Sequence, residues 1–129
     1  MKHRRLAINA VLLAAAMLGQ FAVATATRHR APKQTKFTVR VENKNHPITA
    51  GVEDFTIFDE QHTVKYYLDR EHLLLRSIAR DNLESEAGWW RKAGKGRFAY
   101  LAPGHTPEAL GHPMMQRLIR NAMNWVLRQ

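Results

Sequence analysis

The sequence predicts an α/β domain, and three stretches carry that expectation. Residues 37–42 alternate strictly, with Phe37, Val39 and Val41 on one side and Thr38, Arg40 and Glu42 on the other. That two-residue period marks a half-buried strand. Residues 89–92 and 97–101 flank Ala93-Gly94-Lys95-Gly96, the pattern of a β-hairpin with glycines at its tight turn. Behind Pro113, which suits a first helical turn, Met115, Leu118, Ile119, Ala122 and Val126 recur at the spacing of one apolar helix face. The C-terminus is therefore expected to be an amphipathic helix.

The elements between these are less sharply patterned. His46-Pro47 forces an extended residue ahead of the proline. Residues 48–58, with Gly51, Val52, Phe55, Ile57 and Phe58, read as a short helical turn leading into a strand. Leu73, Leu74, Leu75 and Ile78 form a compact apolar run that fits a buried strand, although periodicity alone leaves a helix open. Residues 81–88 are acidic and read as a turn. Gly94-Lys95-Gly96 is too short for a phosphate-binding loop and lacks the helix that should follow one.

Residues 1–26 read as an export signal. Lys2, Arg4 and Arg5 precede an apolar, alanine-rich run, and Ala24-Thr25-Ala26 supplies the small residues of a cleavage site. The expected product begins near Thr27 and is periplasmic or secreted. The apolar run also approaches the roughly 20 residues of a spanning helix, so an uncleaved anchor is the alternative, and only in that form is a membrane a partner. Residues 27–36, polar and basic with Pro32, read as a linker, leaving 37–129 as the folded domain. Loss of residues 1–26 lowers the formal charge from +9 to +6. The basic residues that remain are scattered apart from Arg28, Arg30, Lys33 and Lys36, a cluster read as part of a solvated tail, so no specific nucleic-acid partner is expected. With no cysteine in the chain, disulfides, thiolate metal sites and a cysteine nucleophile are excluded.

Several short motifs then carry a resemblance. They are His46-Pro47-Ile48-Thr49 with Gly51, Phe55 and Asp59-Glu60; Trp90 with Gly94-Lys95-Gly96-Arg97; Tyr100 and Gly104-His105; and Asn121-Ala122-Met123-Asn124-Trp125. In this order, over roughly residues 37 to 128, they resemble the C-terminal half of the trehalose-utilisation (ThuA-like) domain family of the class I glutamine amidotransferase-like superfamily. The resemblance implies a partial flavodoxin-like, doubly wound sheet and a role in sugar metabolism, with trehalose or a related disaccharide as the substrate class. It also implies that a homo-oligomer or partner covers the missing half-domain. Gln61-His62 stands where relatives commonly place a tyrosine after the Asp-Glu pair.

His105 follows the apolar strand 98–102 through Pro103-Gly104, at a strand's carboxyl end, where doubly wound sheets place ligands. Its ordinary pKa near 6.5 suits a general acid–base, with Glu108 three residues on to orient it. The alternative is a structural loop histidine. Asp59 and Glu60 are adjacent, so in an extended segment they face opposite ways and do not form a simple carboxylate pair. One is expected to assist His105 while the other caps a helix or pairs with an arginine. His46, His62 and Trp90 are the expected substrate contacts, Trp90 by stacking on a sugar ring and the alternative being a packed edge beside Tyr100. No metal site is expected and no cofactor is assigned. Two functions remain open: an enzyme acting on a disaccharide or oxidised sugar with His105 as acid–base and Asp59 or Glu60 as assisting carboxylate, or a non-catalytic sugar-binding or interaction module, including a remnant of a larger protein.

Overall fold

The computed structural model describes residues 24–29, 34–67 and 69–128. Among these, seven strands precede two helices: β1 (Ala24–His29), β2 (Thr35–Val41), β3 (Phe55–Asp59), β4 (His62–Tyr66), β5 (Leu73–Ala79), β6 (Glu84–Ala93), β7 (Gly96–Leu101), α1 (Pro107–Gly111) and α2 (Pro113–Leu127). Single 3₁₀ turns lie at Pro47–Thr49 and Arg70–His72. Residues 1–23, most of the expected export signal, lie outside the described residues. β1 spans Ala24-Thr25-Ala26 and continues into the stretch read as a linker, whose last two residues, Thr35 and Lys36, open β2. No described helix is long and apolar enough to cross a membrane.

Five strands form one sheet in the order β3-β2-β5-β6-β7, and β1 pairs with β4 alone. Every neighbouring pair is antiparallel. This corrects the flavodoxin-like expectation. Parallel neighbours need a crossover of a dozen or more residues, usually a helix, whereas antiparallel ones can close through a tight turn. Here β6 and β7 are joined by Gly94-Lys95 and β5 and β6 by residues 80–83, and both helices come after the last strand. Alternation of direction puts the carboxyl ends of β3, β5 and β7 at the same end of the sheet.

The acidic stretch expected as a turn is instead largely the start of β6. Glu84 and Glu86 point outward while Ser85 and Ala87 are buried, and the true turn is residues 80–83. Outward carboxylates are stable there because Arg40 and Arg76 cross from β2 and β5 to meet them. Arg76 Nη1 lies 3.0 Å from Glu84 Oε2, and Arg40 Nε donates to Glu42 Oε1 at 2.6 Å. The hydrogen bond from Arg76, above all, draws the Glu84 carboxyl below its usual range.

Inside, Phe37, Val39, Val41, Phe55, Ile57 and Leu75 meet Met115, Leu118, Ala122 and Trp125 of α2 in one core. The helix stripe therefore runs through Trp125, and Val126, expected on it, is 38% exposed. β6 bends over this core with register shifts about Leu75, a bulge that increases local twist. Gly88 sits at that bend, where a Cβ would lie 2.9 Å from Leu75 Cδ1 and 3.1 Å from its Cγ. Both atoms belong to the fully buried Leu75 side chain, so Gly88→Ala should overpack the core and lower stability by about 1–3 kcal/mol. Denaturant unfolding checks this; a variant as stable as the parent would show that the bend has slack.

Candidate functional site

The site grows from three consecutive buried polar residues at the end of β3. Asp59, Glu60 and Gln61 are 0%, 5% and 2% exposed. Polar side chains are buried at a cost unless they are partnered, and two of the three are pinned by their partners to a different part of the chain. Asp59 Oδ2 accepts from the backbone N–H of Gly104 at 2.7 Å and of His105 at 3.2 Å, and its Oδ1 accepts from Thr106 N at 2.9 Å. Gln61 Nε2 donates to Ser77 Oγ at 3.1 Å and to Leu83 O at 3.2 Å, tying the β3–β4 turn to β5 and to the turn between β5 and β6.

The loop that Asp59 captures comes from the far side of the sheet. Three residues from Leu101 to Gly104 reach about 10 Å, whereas the outer strands of a flat five-stranded sheet are roughly 19 Å apart. Curling of the sheet and the length of the Asp59 side chain close the difference. Gly104 permits the path: its φ is +124°, and a Cβ there would lie 2.9 Å from Leu110 Cδ2. Thr106 then caps α1, its Oγ1 accepting from Ala109 N and donating to Phe58 O. Thr106-Pro107 is a legible helix start that sequence reasoning passed over.

Held in this way, His105 projects from the loop. Its Nε2 lies 3.3 Å from Glu60 Oε2, with the His105 side chain 55% exposed and that of Glu60 6% exposed. A carboxylate only accepts, so Nε2 faces it as the donor and Nδ1 is left as the acceptor. Glu60, and not Glu108, orients the imidazole; Glu108 is exposed in the first turn of α1. Asp59 meets the loop through its backbone N–H groups, so of the two acids, only one of which is expected to assist His105, it is Glu60 that lies beside the imidazole.

The other expected residues lie elsewhere. His46 stacks on Trp90 with centroids 5.0 Å apart and meets Trp125 edge-on at 5.1 Å, while His72 packs on Trp90 at 4.7 Å. Trp90 Nε1 donates to Glu71 O. Asn121 Nδ2 donates to both Ile48 O and Ala50 O, and Arg97 Nη1 donates to Trp125 O near the helix end, so the His-Pro-Ile-Thr turn is clamped to α2. This aromatic cluster lies toward the C-terminal end of α2, about 20 Å along the helix from His112, whereas the His105 loop precedes its N-terminal end. His62 is on β4, opposite His29 of β1. Trp89, buried, stacks on Tyr100 at 4.1 Å. Asp69, Glu71 and His72 are the described residues whose grouping could hold a cation, and both carboxylates are exposed.

This fold and site place the chain among mixed α/β domains with an antiparallel sheet and C-terminal helices. A family model described as ThuA, trehalose utilisation, matches residues 10–126, and the chain belongs to that family. The match takes in part of the alanine-rich N-terminal run as well as the strands and both helices. Among curated proteins, none matches the sequence.

His46 gives the cluster a pH dependence. Its Nδ1 accepts from Ile48 N as the cap of the 3₁₀ turn, a role that needs the neutral ring, and burial lowers its pKa from the ordinary 6.5. A group that is more easily deprotonated in the folded state contributes stability that is whole above its unfolded pKa. That contribution should be lost as pH falls below about 6.5 toward the lowered folded value. Asn keeps a capping acceptor without titrating, so His46→Asn should flatten this part of the melting-temperature profile between pH 7.5 and 5. An equally steep acid decline in the variant would remove His46 as its source.

Proposed function

We propose that the chain handles a small sugar in trehalose utilisation, with His105 as its acid–base group. The observation that carries this reading is a solvent-facing imidazole whose inner nitrogen meets a buried carboxylate. Glu60 would fix the tautomer and stabilise the imidazolium, and Nδ1 would take a proton from a sugar hydroxyl or from a carbon beside a keto group. The electron pair stays on the substrate, and the proton returns to the product from the same nitrogen. Asp59 serves as a positioning residue, because it holds the loop and touches no reacting atom.

The second reading is a sugar-binding module without turnover. It is favoured by the 55% exposure of the His105 side chain, which leaves water free access to a site where catalysis gains from its exclusion. The two are separated by assaying disaccharide and keto-disaccharide turnover alongside binding. In the catalytic reading, His105→Gln should lower turnover by roughly 10²- to 10⁴-fold with melting little changed, since the side chain is largely outside the core. Glu60→Gln should lower it too, since the amide leaves the imidazolium without its countercharge. Unchanged turnover in a folded His105→Gln protein would eliminate the acid–base role, and sugar binding without turnover in the parent would establish the binding module.

A further inference from the structure

We infer that the outer face of the sheet carries a second site, between Lys36 and Arg80, for a small phosphate monoester. The register of β2 on β5 leads to it. Thr38 pairs with Ile78 and Phe37 with Ala79, so one further step sets Lys36 beside Arg80 at the end of β5. Like charges directly opposed across strands destabilise a sheet. The same face shows how this chain otherwise resolves such a pair: Arg40 lies opposite Arg76, and Glu42, Glu84 and Glu86 stand within 2.6–3.9 Å of their guanidinium groups. Lys36 and Arg80, both exposed, have no ion pair among the described residues. Asp81, next in sequence, directs Oδ1 to Leu83 N.

An open groove of about 360 Å³ lies between these two cations, lined also by Thr38, Thr56, Ile78 and Asn82. The Thr38 and Thr56 hydroxyls are 3.2 Å apart. Two adjacent cations match a phosphate monoester, which carries roughly −1.5 to −2 at neutral pH, better than a singly charged carboxylate. The hydroxyls and the Asn82 amide supply neutral hydrogen bonds for its remaining oxygens or for a polyol body, and the volume suits a molecule of hexose phosphate size. The site shares no residue with the His105 loop and does not depend on how that loop is used.

Titration of the full chain at low ionic strength, by calorimetry and amide chemical shifts, tests this with glucose 6-phosphate as probe. The inference expects saturable binding with shifts at Thr38, Thr56 and Arg80, weakened by salt. Lys36→Gln with Arg80→Gln should reduce affinity at least about tenfold. Thr56→Val, at an exposed strand position, is the milder companion and should weaken binding with the fold intact. Absence of shifts at millimolar probe, or affinity unchanged in the double variant, would overturn the site. Equal binding of glucose would show recognition without the anion, equal binding of glucuronate would remove the preference for a dianion, and equal binding of inorganic phosphate would leave a free-phosphate site; each contradicts a phosphate-monoester site.

Discussion

A carboxylate that is wholly out of water must be answered by hydrogen-bond donors, and at Asp59 the answer is three successive backbone N–H groups from the loop 104–106. Those donors belong to a segment some 45 residues further along, so one side chain joins the end of β3 to the segment that follows β7. The curl of the sheet, the φ of Gly104, the start of α1 and the direction of His105 all depend on this contact. It also explains why adjacent acids take separate roles. Opposite-facing side chains on an extended segment send Asp59 to the backbone and Glu60 to the imidazole.

The second centre of the molecule is aromatic. His46, Trp90 and Trp125 come from a 3₁₀ turn, a strand and a helix, and their contacts are reinforced by Asn121 and Arg97. Two motifs far apart in sequence, His-Pro-Ile-Thr and Asn-Ala-Met-Asn-Trp, are thereby the two halves of one clamp. Arg97 satisfies a carbonyl near the end of α2 and lies 5.2 Å over the Trp125 ring, which gives the otherwise exposed C-terminal turn a fixed seat.

Much of this was legible residue by residue. The alternation at 37–42, the glycine turn at 94–95 and the apolar spacing after Pro113 each correspond to an element in place, because short-range periodicity reports which face is buried. The antiparallel direction of β6 and β7 was legible as well, since a two-residue connection admits only antiparallel neighbours, whereas the family resemblance implies a parallel sheet. Residues 84–88 read as a turn because their carboxylates look too polar for a strand; what makes them a strand is a pair of arginines on neighbouring strands, invisible to local pattern. For the site, His105 and the Asp59-Glu60 pair could be named, and a division of labour between the two acids follows from their adjacency, whereas the assignment of each acid to its role could not be read. It arises from a contact between segments with no sequence relation, as does the clamping of His46 and Trp90 within a packed cluster.

The central claim is that Asp59 and Glu60 together set the orientation of His105, and nitrogen NMR of the imidazole measures it most directly. The account predicts that neutral His105 is held as the Nε2-protonated tautomer, with Nδ1 unprotonated, and that Asp59→Asn and Glu60→Gln each shift it toward the mixture of tautomers of a free histidine. A His105 already in that free mixture in the parent protein, or one unaffected by either substitution, would contradict the account.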